Sequence, residues 1–457
     1  MSNSSVNPNF SFPRLGRART ESAWARSEFG PARRLAFLAA AAALPFAGAR
    51  AQPAPVRFVF GSGPAPAGWT LVTPDSAYSG ARGYGFDRDS DVRAAAGGPE
   101  GCTSDRPFFF SVRLPEGNYR VTVRLGDPAA ASDTTVKAES RRLMLERVRT
   151  AAGAFATRTF IVNVRTPALP PSGELPTGSV LLHPREQGVL DWDDKLTLEF
   201  SNTHPCLDRL EITPAPQVLT VFLVGDSTVT DQPLEPWNSW GQMLPRFFQP
   251  DVAVANNAES GETLKAFVIE RRLEKVLSQI KAGDYLFMQF GHNDMKRNWP
   301  ATYADAFTTY KAYLKLFIAE ARLRGAIPVL VTPVNRRTFN SAGVITNSLG
   351  NYPEAVRQAA AEEKVALIDL NRMSKIFYEA LGPDAAKRAF VDGTHHDNYG
   401  SYEIARCVVE GIKAAKLGLA GELAPDAGDF DPAHPDPLAG FDVPPSPGRD
   451  AQKPLGN

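Results

Sequence analysis

Cysteine is scarce in this chain, with three in 457 residues, at positions 102, 206 and 407. Three scattered thiols argue against a structural zinc site and against a fold stapled by many bridges. Net charge is absent as well, 50 basic residues standing against 50 acidic ones. A balanced chain gives no electrostatic reason to expect nucleic acid or an anionic membrane as partner. Long apolar runs are missing from the body of the chain, where none approaches the ~20 residues of a membrane span. What remains is ordinary: 43% of residues are hydrophobic, and the length allows two or three domains, each able to bury a core.

The first 51 residues read as an address. Residues 1–34 are basic and rich in Ser and Asn, an apolar run follows from Leu35 to Gly48, and Ala49-Arg50-Ala51 offers the small-x-small pattern of a cleavage site. Arg33-Arg34 before Phe37-Leu38 resembles a twin-arginine signal, and both export routes stay open. Residues 57–213 read as an all-β sandwich or jelly roll. Phe108–Leu114 and Tyr119–Leu125 flank a Pro-Glu-Gly-Asn turn, and the second alternates with the period of a half-buried strand. Cys102 and Cys206 share this domain, and an oxidising destination predicts that they pair. Cys407 falls in a helical pattern and reads as a buried small hydrophobe.

From Gln217 the rhythm becomes strand, helix, strand, helix. Leu219–Val224 is apolar but for Thr220, the mark of a parallel strand covered on both faces. Val252–Ala255, Tyr285–Gln289, Ile327–Val331 and Ala366–Leu370 are the next strands, with helices predicted near 264–281, 302–323, 352–363, 372–389 and 400–420. The fold class is therefore α/β with a central parallel sheet over 217–423, and residues 424–457, rich in Pro, Asp, Gly and Ala, read as a disordered tail.

Four short segments carry chemistry. Gly225-Asp226-Ser227-Thr228 leaves the carboxyl end of the first strand, where open α/β sheets place their sites, at an exposed strand-to-helix turn. Asp392-Gly393-Thr394-His395 precedes the last helix. A serine hydroxyl needs a neighbouring base to become a nucleophile, and a histidine base needs a carboxylate to fix its tautomer. Gly261 and Asn293 each lie in a polar loop after a strand. They offer a backbone N–H and a side-chain amide to the oxyanion that acyl transfer develops, together with the Ser227 N–H. Each segment alone is an ordinary turn; their joint order is not.

On these segments the chain resembles the SGNH hydrolases, whose Ser, Gly, Asn and His blocks match Ser227, Gly261, Asn293 and His395, with Asp392 as the third triad member. The resemblance covers roughly 218–420 and implies a three-layer, flavodoxin-like domain. Asn238–Leu244, Asn256–Gly261, Thr332–Arg337 and Thr394–Gly400 look like the rhamnogalacturonan acetylesterase branch, including members with an N-terminal galactose-binding-like β domain. That branch often has arginine and serine after the glycine; here Glu262 and Thr263 follow.

The resemblance implies an exported serine esterase acting on an acetylated polysaccharide, rhamnogalacturonan or pectin first, with no cofactor and no metal. The alternatives are an esterase for acetylated xylan or another acylated glycan, and an inactive glycan-binding protein. Arg336, Arg337 and His396 are candidate substrate contacts, the arginines as clamps on a uronate carboxylate. His292 reads as a brace for its loop, and Trp237 and Trp240 as core. Asp87, Asp89 and Asp91 alternate as some calcium loops do, a pattern acidic turns share.

Overall fold

The computed structural model describes residues 54–171 and 177–454. The expected export signal, with its cleavage site before Gln52, lies outside the described residues.

The first half is a β sandwich. One sheet runs in the order Ala156–Val164, Gly117–Leu125, Cys206–Pro214, Val56–Phe60, Thr70–Val72, and the other Tyr84–Asp87, Phe108–Arg113, Lys195–Ser201, Ser132–Ala138, Arg142–Thr150. Alternate residues of Gly117–Leu125, Tyr119 through Leu125, are buried, as the alternating sequence requires. They meet Phe58, Phe60, Phe108, Phe110 and Phe200 in one aromatic-rich core. The strand Arg142–Thr150 was not legible in the sequence. Arg142 and Glu146 meet Asp231 and Arg246 of the second half, and Leu143 packs in the second half's core.

The expected disulfide is absent, since Cys102 and Cys206 are both free and buried. The register gives the reason. Leu207 stands opposite Cys102, and Thr103 opposite Cys206. Directly opposed residues share a face and successive residues alternate, so the two thiols lie on opposite faces of the sheet. Cys102 belongs to the sandwich core, while Cys206 faces the side on which Gly101 would carry a Cβ. Cys407 is buried in the helix Asn398–Ala414.

The second half is a five-stranded parallel sheet in the spatial order Val252–Asn256, Leu219–Gly225, Tyr285–Gln289, Ile327–Val331, Ala366–Ile368. Leu219–Gly225, first of these five in the chain, sits between the second and third, which puts the topological switch, and any site there, at its carboxyl end. Both faces are covered. Val221 and Leu223 pack on one side with helix Asn398–Ala414, and Phe222 and Val224 on the other with helix Lys311–Leu323. Each such side chain contributes roughly 1.5–3 kcal/mol by leaving water.

The helix expected over 264–281 is broken into Leu264–Ile269 and Arg272–Leu277 by Arg271, whose φ of 63° lies in the left-handed region. The one expected over 372–389 starts earlier, at Leu370, and turns at Gly382-Pro383.

The tail expected to be disordered is ordered as far as residue 454. Phe430 and Val443 are buried, and Phe441 packs against Tyr399 and Tyr402. Ser446 donates to Glu199 and accepts from Lys137, both of the β domain, while its N–H reaches Glu235 of the second half. Composition hid this because a few apolar anchors and main-chain polar groups, rather than an amphipathic face, hold the segment down. Among the described residues no helix is long and apolar enough to cross a membrane.

Candidate active site

Ser227 sits directly past the end of the central strand. The turn around it is fixed by Asp226, which accepts from the Thr228 N–H at 3.0 Å and the Thr228 hydroxyl at 2.8 Å. Its other oxygen meets His292 Nδ1 at 3.2 Å. Burial opposes the Asp226 charge, but His292 and Thr228 outweigh it and hold the pKa below the ordinary carboxylate value. His292 reaches the Val334 carbonyl with its second nitrogen at 3.0 Å, so it braces two loops, as the sequence suggested. Two features differ from expectation. No helix follows the serine directly, the next beginning at Trp240, and Ser227 is only 3% exposed.

The Asp392–His395 loop closes on this serine. His395 Nε2 lies 2.7 Å from Ser227 Oγ, and His395 Nδ1 lies 3.0 Å from Asp392 Oδ2. Asp392 Oδ1 accepts from the backbone N–H groups of Thr394 and His395 at 2.6 and 2.7 Å. One carboxylate therefore folds its own loop and orients the imidazole. Burial works against that charge, yet His395 and the two N–H groups keep the Asp392 pKa well below its usual value. The indole of Trp237 stands edge-on to His395, with centroids 5.6 Å apart at 90°, while Trp240 is interior and donates to Gln289 at 3.0 Å.

Gly261 has φ of 85°, a conformation that strains any side chain. Among the described residues neither its N–H nor that of Ser227 meets an acceptor. Asn293 lies beside this turn, its amide nitrogen donating to the Glu262 carbonyl at 3.0 Å and its oxygen accepting from Lys296 Nζ at 2.9 Å. An ammonium on one side and a carbonyl on the other fix which way the amide faces. One of its two N–H groups is left over for a ligand. Sequence reasoning missed Lys296; its place three residues after Asn293, in the same loop, was the available signal. The whole arrangement, nucleophile to base to carboxylate with three convergent donors, is suited to acyl transfer through a tetrahedral oxyanion.

The remaining candidates fall elsewhere. Arg336 gives its guanidinium to Thr394 Oγ1 at 3.2 Å and to the Ser348 and His292 carbonyls at 3.3 Å. Arg337 reaches the Asp392 carbonyl at 3.4 Å and lies over the Phe390 ring. Both tie the Asp392–His395 loop to its neighbours, and Arg337 keeps a buried Nε without an acceptor. His396 is packed against Phe390 with Nε2 2.7 Å from the Tyr378 hydroxyl. Burial, helped by His395, pulls its pKa down to about 3. It is a neutral packing group rather than a substrate contact. Asp87 and Asp91 do not converge on an ion, since Asp87 pairs with Lys195 at 2.6 Å and Asp91 with Arg106 at 2.8 Å.

The β domain reaches this site. Arg185 binds the Glu259 carboxylate at 2.9 Å and also the Ser260 carbonyl, directly before Gly261. His183 approaches Glu262 at 3.4 Å and Glu270 at 3.2 Å. Arg272 lies 3.6 Å from Glu262 and 3.0 Å from Glu270, so a cation already lies within that cluster. Glu262, the residue at which the chain departs from the branch, thus turns its side chain toward the β domain. Arg142 enters from the same domain and binds Asp231 at 2.7 Å, in the loop that follows the serine.

Known proteins match these two halves. Residues 223–400 match the GDSL-like lipase/acylhydrolase family, and residues 56–167 the galactose-binding-like domain of β-agarase/YXIM-type esterases. Rhamnogalacturonan acetylesterase RhgT of Bacillus subtilis is 40% identical over 222 residues, which is 45% of this chain and 94% of that protein. The uncharacterized esterase YxiM of the same organism is 30% identical over 390 residues, 81% of this chain and 93% of YxiM. The crystal structure of YxiM superposes with a TM-score of 0.44 at 26% identity, covering 80% of this chain and 99% of that one.

Proposed function

Because this chain belongs to the GDSL-like lipase/acylhydrolase family, preceded by a galactose-binding-like domain, we propose that it removes acetyl groups from a plant cell-wall polysaccharide, rhamnogalacturonan first. The observation that carries the reading is the hydrogen-bonded line Asp392–His395–Ser227 beside the unpartnered N–H groups of Ser227 and Gly261.

In this mechanism Ser227 Oγ attacks the acetyl carbon while His395 Nε2 takes its proton. The oxyanion is held by the N–H groups of Ser227 and Gly261 and by the Asn293 amide. His395 then returns the proton to the departing sugar oxygen, leaving acetyl on Ser227. Water, deprotonated by His395, attacks that ester, and acetate leaves as Ser227 regains its proton. Asp392 offsets the imidazolium charge throughout.

The rhamnogalacturonan assignment is supported by the acetylesterase relatives at 40% and 41% identity. Export is supported by Arg33-Arg34, the apolar run and Ala49-Arg50-Ala51; a mature protein from its source cell should begin near Gln52. The test is acetate release from acetylated pectin and acetylated xylan by the wild type and by Ser227→Ala. The variant should lose about 10⁴-fold in turnover or more. Near-normal turnover by Ser227→Ala would end the mechanism, and faster release from xylan would replace the pectic assignment.

A further inference from the structure

We infer that the cavity beside the Ser260–Gly261 turn is a subsite for an acidic sugar of the substrate chain, with its hydrogen-bond donors supplied by the β domain. The inference rests on the polysaccharide esterase reading above and names a part of the substrate it would hold.

The cavity has a volume of about 400 Å³ and opens between the β-domain turn 183–192, the loop 230–237, the turn at 259–260 and the carboxyl-terminal residues 450–454. Three of its lining residues touch the machinery of the site. Trp237 is the indole set edge-on to His395. Ser260 immediately precedes Gly261. Gln232 donates to the Ser227 carbonyl at 2.9 Å. A polymer with one ester at Ser227 has this cavity beside it for a neighbouring sugar.

The balance of donors and acceptors selects the ligand. The acids on the wall already have donors. Glu186 takes Arg272 at 2.9 Å and Trp192 Nε1 at 3.1 Å. Asp191 and Asp231 take Arg142 at 3.0 and 2.7 Å, and Glu259 takes Arg185. Asp450 accepts from the Gln452 N–H at 2.8 Å. Among the described residues, the buried donors left without acceptors on this wall are all on arginine. Arg165, 3% exposed, has no acceptor for Nε or Nη1, and its Nη2 stays 4.0 Å from both Asp191 and Asp231. Arg185 Nη1 has none either.

Buried guanidinium N–H groups without acceptors are costly, and a carboxylate is the acceptor that satisfies Arg165 Nε or Nη1 and Arg185 Nη1 by charge-assisted hydrogen bonds. Arg165 also lies 4.6 Å over the Trp192 ring, which, with Trp237, gives the cavity apolar walls for the face of a sugar ring. A uronate supplies a charged acceptor together with the ring; a neutral sugar supplies the ring and only the weaker, uncharged oxygen acceptors.

The test uses the full-length wild type and calorimetric titration with trigalacturonate and with its carboxyl-reduced, neutral counterpart. Neither carries an ester, so binding is read without turnover. The acidic ligand should bind at least tenfold more tightly. Val189→Trp, which fills the cavity from the β-domain turn, and Arg165→Lys, which keeps the charge but removes the fork, should each abolish most of that preference while keeping the wild-type thermal midpoint. Equal binding of the two ligands overturns the proposal, and so does a preference that survives in folded Val189→Trp. If the preference holds while acetylated pectin is not deacetylated, the subsite stands and the substrate reading fails. Deacetylation of pectin with no preference refutes the subsite alone.

Discussion

Replacing Asp392 with Asn separates the two jobs of one carboxylate. Oδ1 accepts from the Thr394 and His395 N–H groups at 2.6 and 2.7 Å, and Oδ2 faces His395 Nδ1 at 3.0 Å. Asparagine keeps one acceptor and gains a donor in place of the other. If its amide nitrogen faced the backbone, two N–H groups would be left against a donor, at about 1–3 kcal/mol each. If it faces the imidazole there is one conflict, which the ring relieves by moving its proton from Nδ1 to Nε2. The second arrangement is therefore favoured.

Nε2, 2.7 Å from Ser227 Oγ, then carries a hydrogen and cannot take the serine's proton. The expected loss in kcat is about 10⁴-fold, equivalent to about 5.5 kcal/mol of transition-state stabilisation. The loop bonds survive, so the thermal midpoint should barely move. Asp392→Ala, which removes all these acceptors, should lose stability as well as rate. The assay is turnover of a chromogenic acetate ester, with thermal unfolding of each variant alongside. A kcat within tenfold of wild type in a correctly folded Asp392→Asn protein would refute the reasoning.

Asn293→Ala should lower kcat about 10²–10³-fold with little change in KM, because its amide is aimed at charge that exists only in the transition state. Lys296→Met, which frees the Asn293 oxygen, should lower kcat by a smaller factor, with partial rescue by Lys296→Arg; unchanged steady-state kinetics would remove Lys296 from the site. Burial pushes Asp294 and Glu403 up to about 7 each, above the value of ~4 that carboxyls have in an unfolded chain. Between those values the folded state holds protons the unfolded state has lost, so these two groups make stability fall as pH rises from about 4 to 7. Urea midpoints across that range check the sign, and Asp294→Asn should flatten the slope. Thiol titration of the unreduced, denatured protein should count three free cysteines per chain, and a count of one would restore the Cys102–Cys206 bond.

The α/β half and the residues of the candidate triad are legible in the amino-acid order alone. A parallel strand buried on both faces must be apolar almost throughout, so Leu219–Val224 is visible without a structure. The loop after its carboxyl end is the place where a reactive serine would stand, and Asp392 and His395 announce themselves by a spacing that lets both side chains leave one loop. These are local facts, fixed by period, turn chemistry and neighbouring positions.

Other features follow from contacts between segments far apart in the chain. Cys102 and Cys206 share a domain, but a one-residue offset in register sends them to opposite faces. Arg336 and Arg337 carry the charge a uronate would need, yet Arg336 is occupied by Thr394 and the His292 carbonyl, and Arg337 is laid over Phe390 beside the Asp392 carbonyl. Arg185 reaches Glu259 across 74 residues and Arg142 reaches Asp231 across 89, and no periodicity links positions so far apart. The carboxyl-terminal segment looked too polar to fold because its partners lie in both halves of the protein. Hydrogen bonds and charge pairs of this kind depend on which surfaces meet, and that is settled only once the sandwich and the parallel sheet pack together.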